Sequence, residues 1–136
     1  MWRFAPAIKT KIMSQKTINI IGWVLTTILG LLFGMSAFIK ISQNPEAVAQ
    51  AAAIGINAGT YQVIGIIEIL ALILFIIPRT AIIGSLLLVA YMGGAIVTHL
   101  QHQQPILMAV LVQITVWVTA FIRFPELKQR LLLAKN

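Results

Sequence analysis

The chain has 136 residues, 60% of them hydrophobic and 10% charged, with a mean hydropathy of +0.96 and a net charge of +7. Soluble domains carry roughly 25% charged residues, so this composition excludes a water-soluble globule and describes a single-domain integral membrane protein. It contains no cysteine, which removes thiol catalysis, disulfide exchange and Cys-ligated metal centres from its own repertoire.

The positive charge does not form a nucleic-acid face. Arg3, Lys9, Lys11 and Lys16 precede the first apolar run, Arg79 sits in the middle connection, and Arg123, Lys128, Arg130 and Lys135 follow the last. They border apolar runs, with no basic helix or aromatic platform of the kind that holds nucleic acid.

Residues 1–17 read as a basic cytoplasmic or interfacial tail, in which Trp2 and Phe4 suit the headgroup layer. Ile18 to Ile39 is an uncharged run of 22 residues. It is too long for the apolar region of a signal peptide and long enough, at 1.5 Å per residue, to cross a hydrocarbon core of about 30 Å. It is therefore expected to be a retained span. Gly30 and Gly34 form a GxxxG within it, expected to serve close packing inside the molecule, with homo-oligomerisation as the alternative.

After Lys40 the chain turns small and weakly polar. Asn44, Pro45 and Glu46 are helix-start signals and Gly55 is a stop, so a short helix is expected on the outer interface, a connector rather than a lid. The second span covers about 61–77. Pro78 and Arg79 make a tight turn into a third over about 80–100, whose Gly84, Ser85, Gly93, Gly94 and Ala95 predict a close-packing face. A polar loop leads to a fourth span at about 106–124, and 125–136 is a basic tail. The predicted fold is an all-α integral membrane four-helix bundle over 18–124. With four spans, nine of the ten Lys and Arg residues fall on one side, and the positive-inside rule makes both termini cytoplasmic. Lys40 is the exception, on the outer side.

Depth then singles out five residues. Glu68 lies seven residues past Tyr61, about 10 Å below the outer boundary. Tyr91 and Gln113 come to about the same level, while Lys40 and His99 stand at the outer ends of their spans and can point inward. A lipid-exposed carboxylate at such depth is costly, so Glu68 must face the bundle or a wet cavity and find a partner. Two readings stay open. In one, Glu68 lines an outward-facing polar pocket with Lys40 or His99 as partner. In the other, it is neutral and bonded to Tyr91, Gln113 or a backbone carbonyl purely to lock the bundle. His99 and His102 lack the further ligands that a metal would need, so no metal site is expected. No nucleophile and base set or carboxylate dyad is present, and no catalytic residue can be assigned.

The segments GLLFGMSAFIKI (Gly30 to Ile41) and GIIEILALILFIIPRTAIIGSLLLVAYMGGAIVTHL (Gly65 to Leu100) resemble the DoxX-like family of small bacterial membrane proteins. The resemblance extends over roughly Gly22 to Phe124. It rests on Phe38 and Lys40, Glu68, the Pro78–Arg79 turn, and the stretch from Gly94 and Ala95 to His99. It implies a four-helix bundle in the bacterial cytoplasmic (inner) membrane and an association with redox membranes, since the namesake subunit belongs to a thiosulfate:quinone oxidoreductase. Lys40, Glu68 and His99 are the polar positions it marks. The chain itself carries no recognisable redox-cofactor motif, so a quinone is the cofactor or ligand class implied, with other membrane redox subunits and the lipid bilayer as partners. The first functional expectation is a pocket formed by Lys40, Glu68, Tyr91, His99 and Gln113 that binds a small quinone-like or amphipathic ligand in a membrane redox system. The alternative is a non-enzymatic assembly or integrity factor whose polar cluster is structural. Solute transport fits less well, because four short spans without a repeat or broken helices lack the usual machinery.

Overall fold

The computed structural model describes residues 13–132. The calls on Trp2, Arg3, Phe4, Lys9, Lys11 and Lys135 lie outside them. Among the described residues there are six helices and no strand: α1 (Gln15–Ile41), α2 (Pro45–Ala53), α3 (Ala58–Ile76), α4 (Ala81–Gln101), α5 (Leu107–Arg123) and α6 (Pro125–Leu132).

Caps set these boundaries. Ser14 accepts from the Thr17 N–H and starts α1 ahead of the apolar run. Asn44 accepts from the Ala47 N–H at 3.2 Å, with Pro45 following it, and Gly55 takes φ +79° just past the end of α2. Asn57 accepts from the Thr60 N–H at 2.9 Å, so α3 begins three residues before Tyr61, where hydropathy alone places its start. Between α3 and α4, the Thr80 hydroxyl donates to Leu74 O at 2.9 Å and holds the Pro78–Arg79 turn closed.

α1, α3 and α4 are each long and apolar enough to cross a membrane, with 27, 19 and 21 residues. α5 has 17 residues and is followed at once by α6, bent from it by 105°. α1 packs along α3 and α5, and α4 along the same two helices. The buried positions recur at helical spacing: Gly22, Thr26, Leu29, Phe33 and Ala37 on α1, and Gly65, Glu68, Leu72 and Phe75 on α3. Phe33, Phe75, Leu88 and Val116 form the centre. The opposite faces are as apolar as this interior; Leu31 and Phe38 are both 70% exposed. Such an outside is at home only in lipid, so the protein is a multi-pass membrane protein.

In lipid, close approach between helices matters more than greasiness, and glycine is where it is achieved. Of the glycines expected to serve it, only some do. A Cβ at Gly84 would collide with the backbone of Leu74 and Phe75, and one at Gly65 would stand 2.6 Å from Lys40 Cβ and 3.2 Å from Ala37 O. A Cβ at Gly30, by contrast, would meet nothing within 4 Å, and one at Gly34 would meet only Leu72 Cδ2 at 3.9 Å, so the GxxxG is not an intramolecular packing seam. Gly93 and Gly94 are likewise free of neighbours. The reason is the course of α4: its last buried residue is Met92, and beyond it Ala95 and Ile96, rather than the two glycines, keep contact with the core.

Candidate functional site

Glu68 sits in the buried stripe of α3, one turn after Gly65, and is 1% exposed. Because Gly65 has no side chain, the α1 backbone around Ala37 and Lys40 comes in directly above it. That approach brings Lys40 Nζ to 3.0 Å from Glu68 Oε2. The ammonium directs its hydrogen bonds to the Ser36 hydroxyl and to Ser36 O, so its contact with the carboxylate is ionic. Oε2 is left without a hydrogen-bond donor. Such a pair offsets two desolvation costs against one strong attraction, and it holds only while both partners are present.

Around the pair, Tyr61 places its ring 5.8 Å from Lys40 Nζ. Tyr91 is turned toward Glu68 and Ser36 from α4, and its ring meets Phe33 edge-on at 6.3 Å. The C-terminus of α1 is stitched down beside them: Gln43 donates to Lys40 O at 2.8 Å and Gln62 to Ile41 O at 3.2 Å.

Of the five residues expected to converge, Lys40, Glu68 and Tyr91 do. His99 does not: it lies two turns past Met92, the last buried residue of α4, and its Nδ1 is 2.7 Å from Ala95 O of its own helix. Gln113 faces α4 instead, donating to Val89 O at 3.4 Å. Ser36 and Tyr61 belong to the cluster although the sequence reading left them out. Ser36 is one turn before Lys40 and could have been found by that spacing; Tyr61 carried no such signal.

Glu68 itself lines no opening. The accessible member of the pair is Lys40, whose side chain is 14% exposed. An open groove of about 610 Å³ runs over Leu31, Leu32, Met35 and Ile39 and ends at Ser36, Lys40 and Tyr61. The groove is therefore apolar along its length with three hydrogen-bond donors at one end, and the buried carboxylate behind them balances the lysine charge. Among the described residues no group of three or more His, Asp or Glu could hold a metal ion.

The order of these features along the chain also has a counterpart outside it: the model of the DoxX-like family matches residues 24–122, 99 of the 136 residues. The chain belongs to the DoxX-like family. The matched range takes in the whole cluster and, at its other end, all but the last residue of α5. No curated protein and no solved structure matches this DoxX-like chain.

That last residue, Arg123, builds the second polar station of this DoxX-like protein. Its Nη1 and Nη2 donate to Phe75 O at 3.0 Å and Ile76 O at 3.4 Å, the terminal carbonyls of α3. Its guanidinium lies 5.0 to 5.2 Å from the rings of Trp23, Phe75 and Phe124. Gly22 leaves the room, since a Cβ there would stand 3.1 Å from Arg123 Cγ. Charge counting had taken Arg123 only as a topology marker; the aromatic residues at helical spacing near it gave no hint of a shared centre.

Proposed function

We propose that this DoxX-like protein is a four-helix bundle of the bacterial inner membrane, with both termini cytoplasmic, that holds a quinone-like amphipathic ligand as part of a membrane redox system. The groove along α1 takes the ligand's apolar tail. Lys40, Ser36 and Tyr61 donate hydrogen bonds to its polar end, and Glu68 serves as the buried counter-ion that keeps Lys40 in place. The observation that carries this reading is the groove's composition: apolar walls leading to one ammonium and two hydroxyls. Since Glu68 already neutralises Lys40, the site favours a neutral acceptor such as a ring carbonyl over an anion.

The charge distribution supports the orientation, with Lys16, Arg79 and Arg123 at one end of the spans and Lys40 alone at the other. In this arrangement α5 spans the membrane by itself, its 17 residues reaching about 25 Å.

The test is binding of a short-chain quinone to purified protein in detergent, compared with the Ser36→Ala/Tyr61→Phe variant and with Lys40→Met/Glu68→Leu. Each lost hydrogen bond should weaken binding roughly fivefold, with thermal stability little changed in the first variant. Quinone binding that is absent in the wild type, or that survives both variants unaltered, would overturn the ligand reading. It would leave the cluster as the lock of a non-enzymatic assembly or integrity factor.

A further inference from the structure

Past Phe124 the chain leaves the direction of α5 abruptly. Phe124 has non-helical backbone angles, φ −121° and ψ 89°, and donates the last hydrogen bond of the helix, to Ala120 O at 2.9 Å. Pro125 has no N–H and a φ suited to a first helical position, so a new helix starts there, 105° away. A helix at a right angle to a membrane span runs along the membrane surface.

Packing fixes which way α6 is rolled. Leu127 packs on Ala81, Ala120 and Phe124. Leu131 is one turn further on the same face, yet it is 55% exposed, and Leu132 is 64% exposed. The apolar face of α6 thus begins on the bundle and continues past its edge. Lys128 and Arg130 are exposed on the remaining surface, and Arg79 is exposed two residues before Ala81, which Leu127 packs beside. Glu126, the acidic residue of α6, stands in its first turn, where it complements the helix dipole.

We propose that α6 is an interfacial foot that recognises anionic phospholipid. Leu131 enters the acyl region, while Lys128 and Arg130, which flank it on either side of the helix, stay at headgroup level and contact lipid phosphates. The occupant of the uncovered face is the leaflet itself. The face starts beside Phe124 at the end of α5, and the charge beside it is of the sign that an anionic leaflet attracts. This foot is independent of the groove at Lys40 and stands whether or not a quinone binds there.

Because the chain has no cysteine, Leu131→Cys and Gln129→Cys each give one labelling site in the full-length protein. The variants are labelled with a fluorophore in nanodiscs of phosphatidylcholine with or without phosphatidylglycerol. The Leu131 position is expected to be quenched by brominated acyl chains and shielded from aqueous iodide, and the Gln129 position to show the reverse. By native mass spectrometry, preferential retention of phosphatidylglycerol should fall roughly fivefold for each of Lys128→Gln and Arg130→Gln. A Leu131 label open to iodide overturns the foot, as does one shielded through cross-linking to a second copy. Unchanged phosphatidylglycerol retention in the double charge variant overturns the lipid preference.

Discussion

Lys40 near the end of α1 and Arg123 at the end of α5 are cations held partly inside the assembly at opposite ends, and each is balanced by a different kind of partner. Lys40 meets a carboxylate that is itself 1% exposed. Among the described residues Arg123 meets no carboxylate within salt-bridge range; it is balanced by two carbonyls at the negative end of α3 and by three aromatic faces. The side-chain chemistry explains the division. A planar guanidinium is weakly hydrated and can fork between two carbonyls while stacking on rings, whereas an ammonium is a compact charge that does best with one full opposite charge. At the Lys40 end the more demanding group is in fact Glu68, since it is the one with no route to water. Losing a partner should therefore cost more there than at Arg123.

Breaking the ion pair from one side tests this most directly. Glu68→Ala should destabilise the purified protein by about 3 to 5 kcal/mol, read as thermal unfolding in detergent, because Lys40 is left facing an apolar gap. Lys40→Met/Glu68→Leu should recover most of that loss. A double variant as unstable as the single one would mean that volume, rather than charge, makes the site. At the other end, Arg123→Leu is expected to cost about 2 to 3 kcal/mol through two charge-assisted hydrogen bonds and the ring contacts. Arg123→Lys should restore less than half, since a lysine cannot fork. If lysine restored all of it, charge at that end would suffice and the contrast with Lys40 would dissolve.

Glycine substitutions sharpen the same contrast at a smaller scale. Gly65→Ala pushes α1 away from α3 at the ion pair, and Gly84→Ala presses on the rigid backbone of the last turn of α3. Each should cost about 1 to 3 kcal/mol, Gly84 the more because backbone cannot swing aside as the stem of Lys40 can. Gly30→Ala has free space and should be stabilising by about 0.5 to 1 kcal/mol. On a similar scale, Asn57→Ala removes the cap of α3 and should cost about 1 kcal/mol without disturbing either cation.

The sequence by itself determined where the helices are and that Glu68 faces inward. Both follow from contiguous residues: apolar runs bounded by Asn44, Asn57 and Pro78, and a carboxylate too expensive to leave in lipid. Pro125 with Glu126 is also a readable helix start, within the stretch that composition alone reads as a basic tail. Only the tertiary structure decided what Glu68 is paired with, since Lys40, His99, Tyr91 and Gln113 are all within reach by depth. That choice depends on how each helix is rolled about its axis and how closely it is approached, and these are properties of pairs of helices. Gly65 lets α1 in, so Lys40 takes the carboxylate; the His99 ring turns to Ala95 O of its own helix instead. The same reason separates Gly65 and Gly84 from Gly30, which read alike along the chain and differ only in whether another backbone comes to meet them.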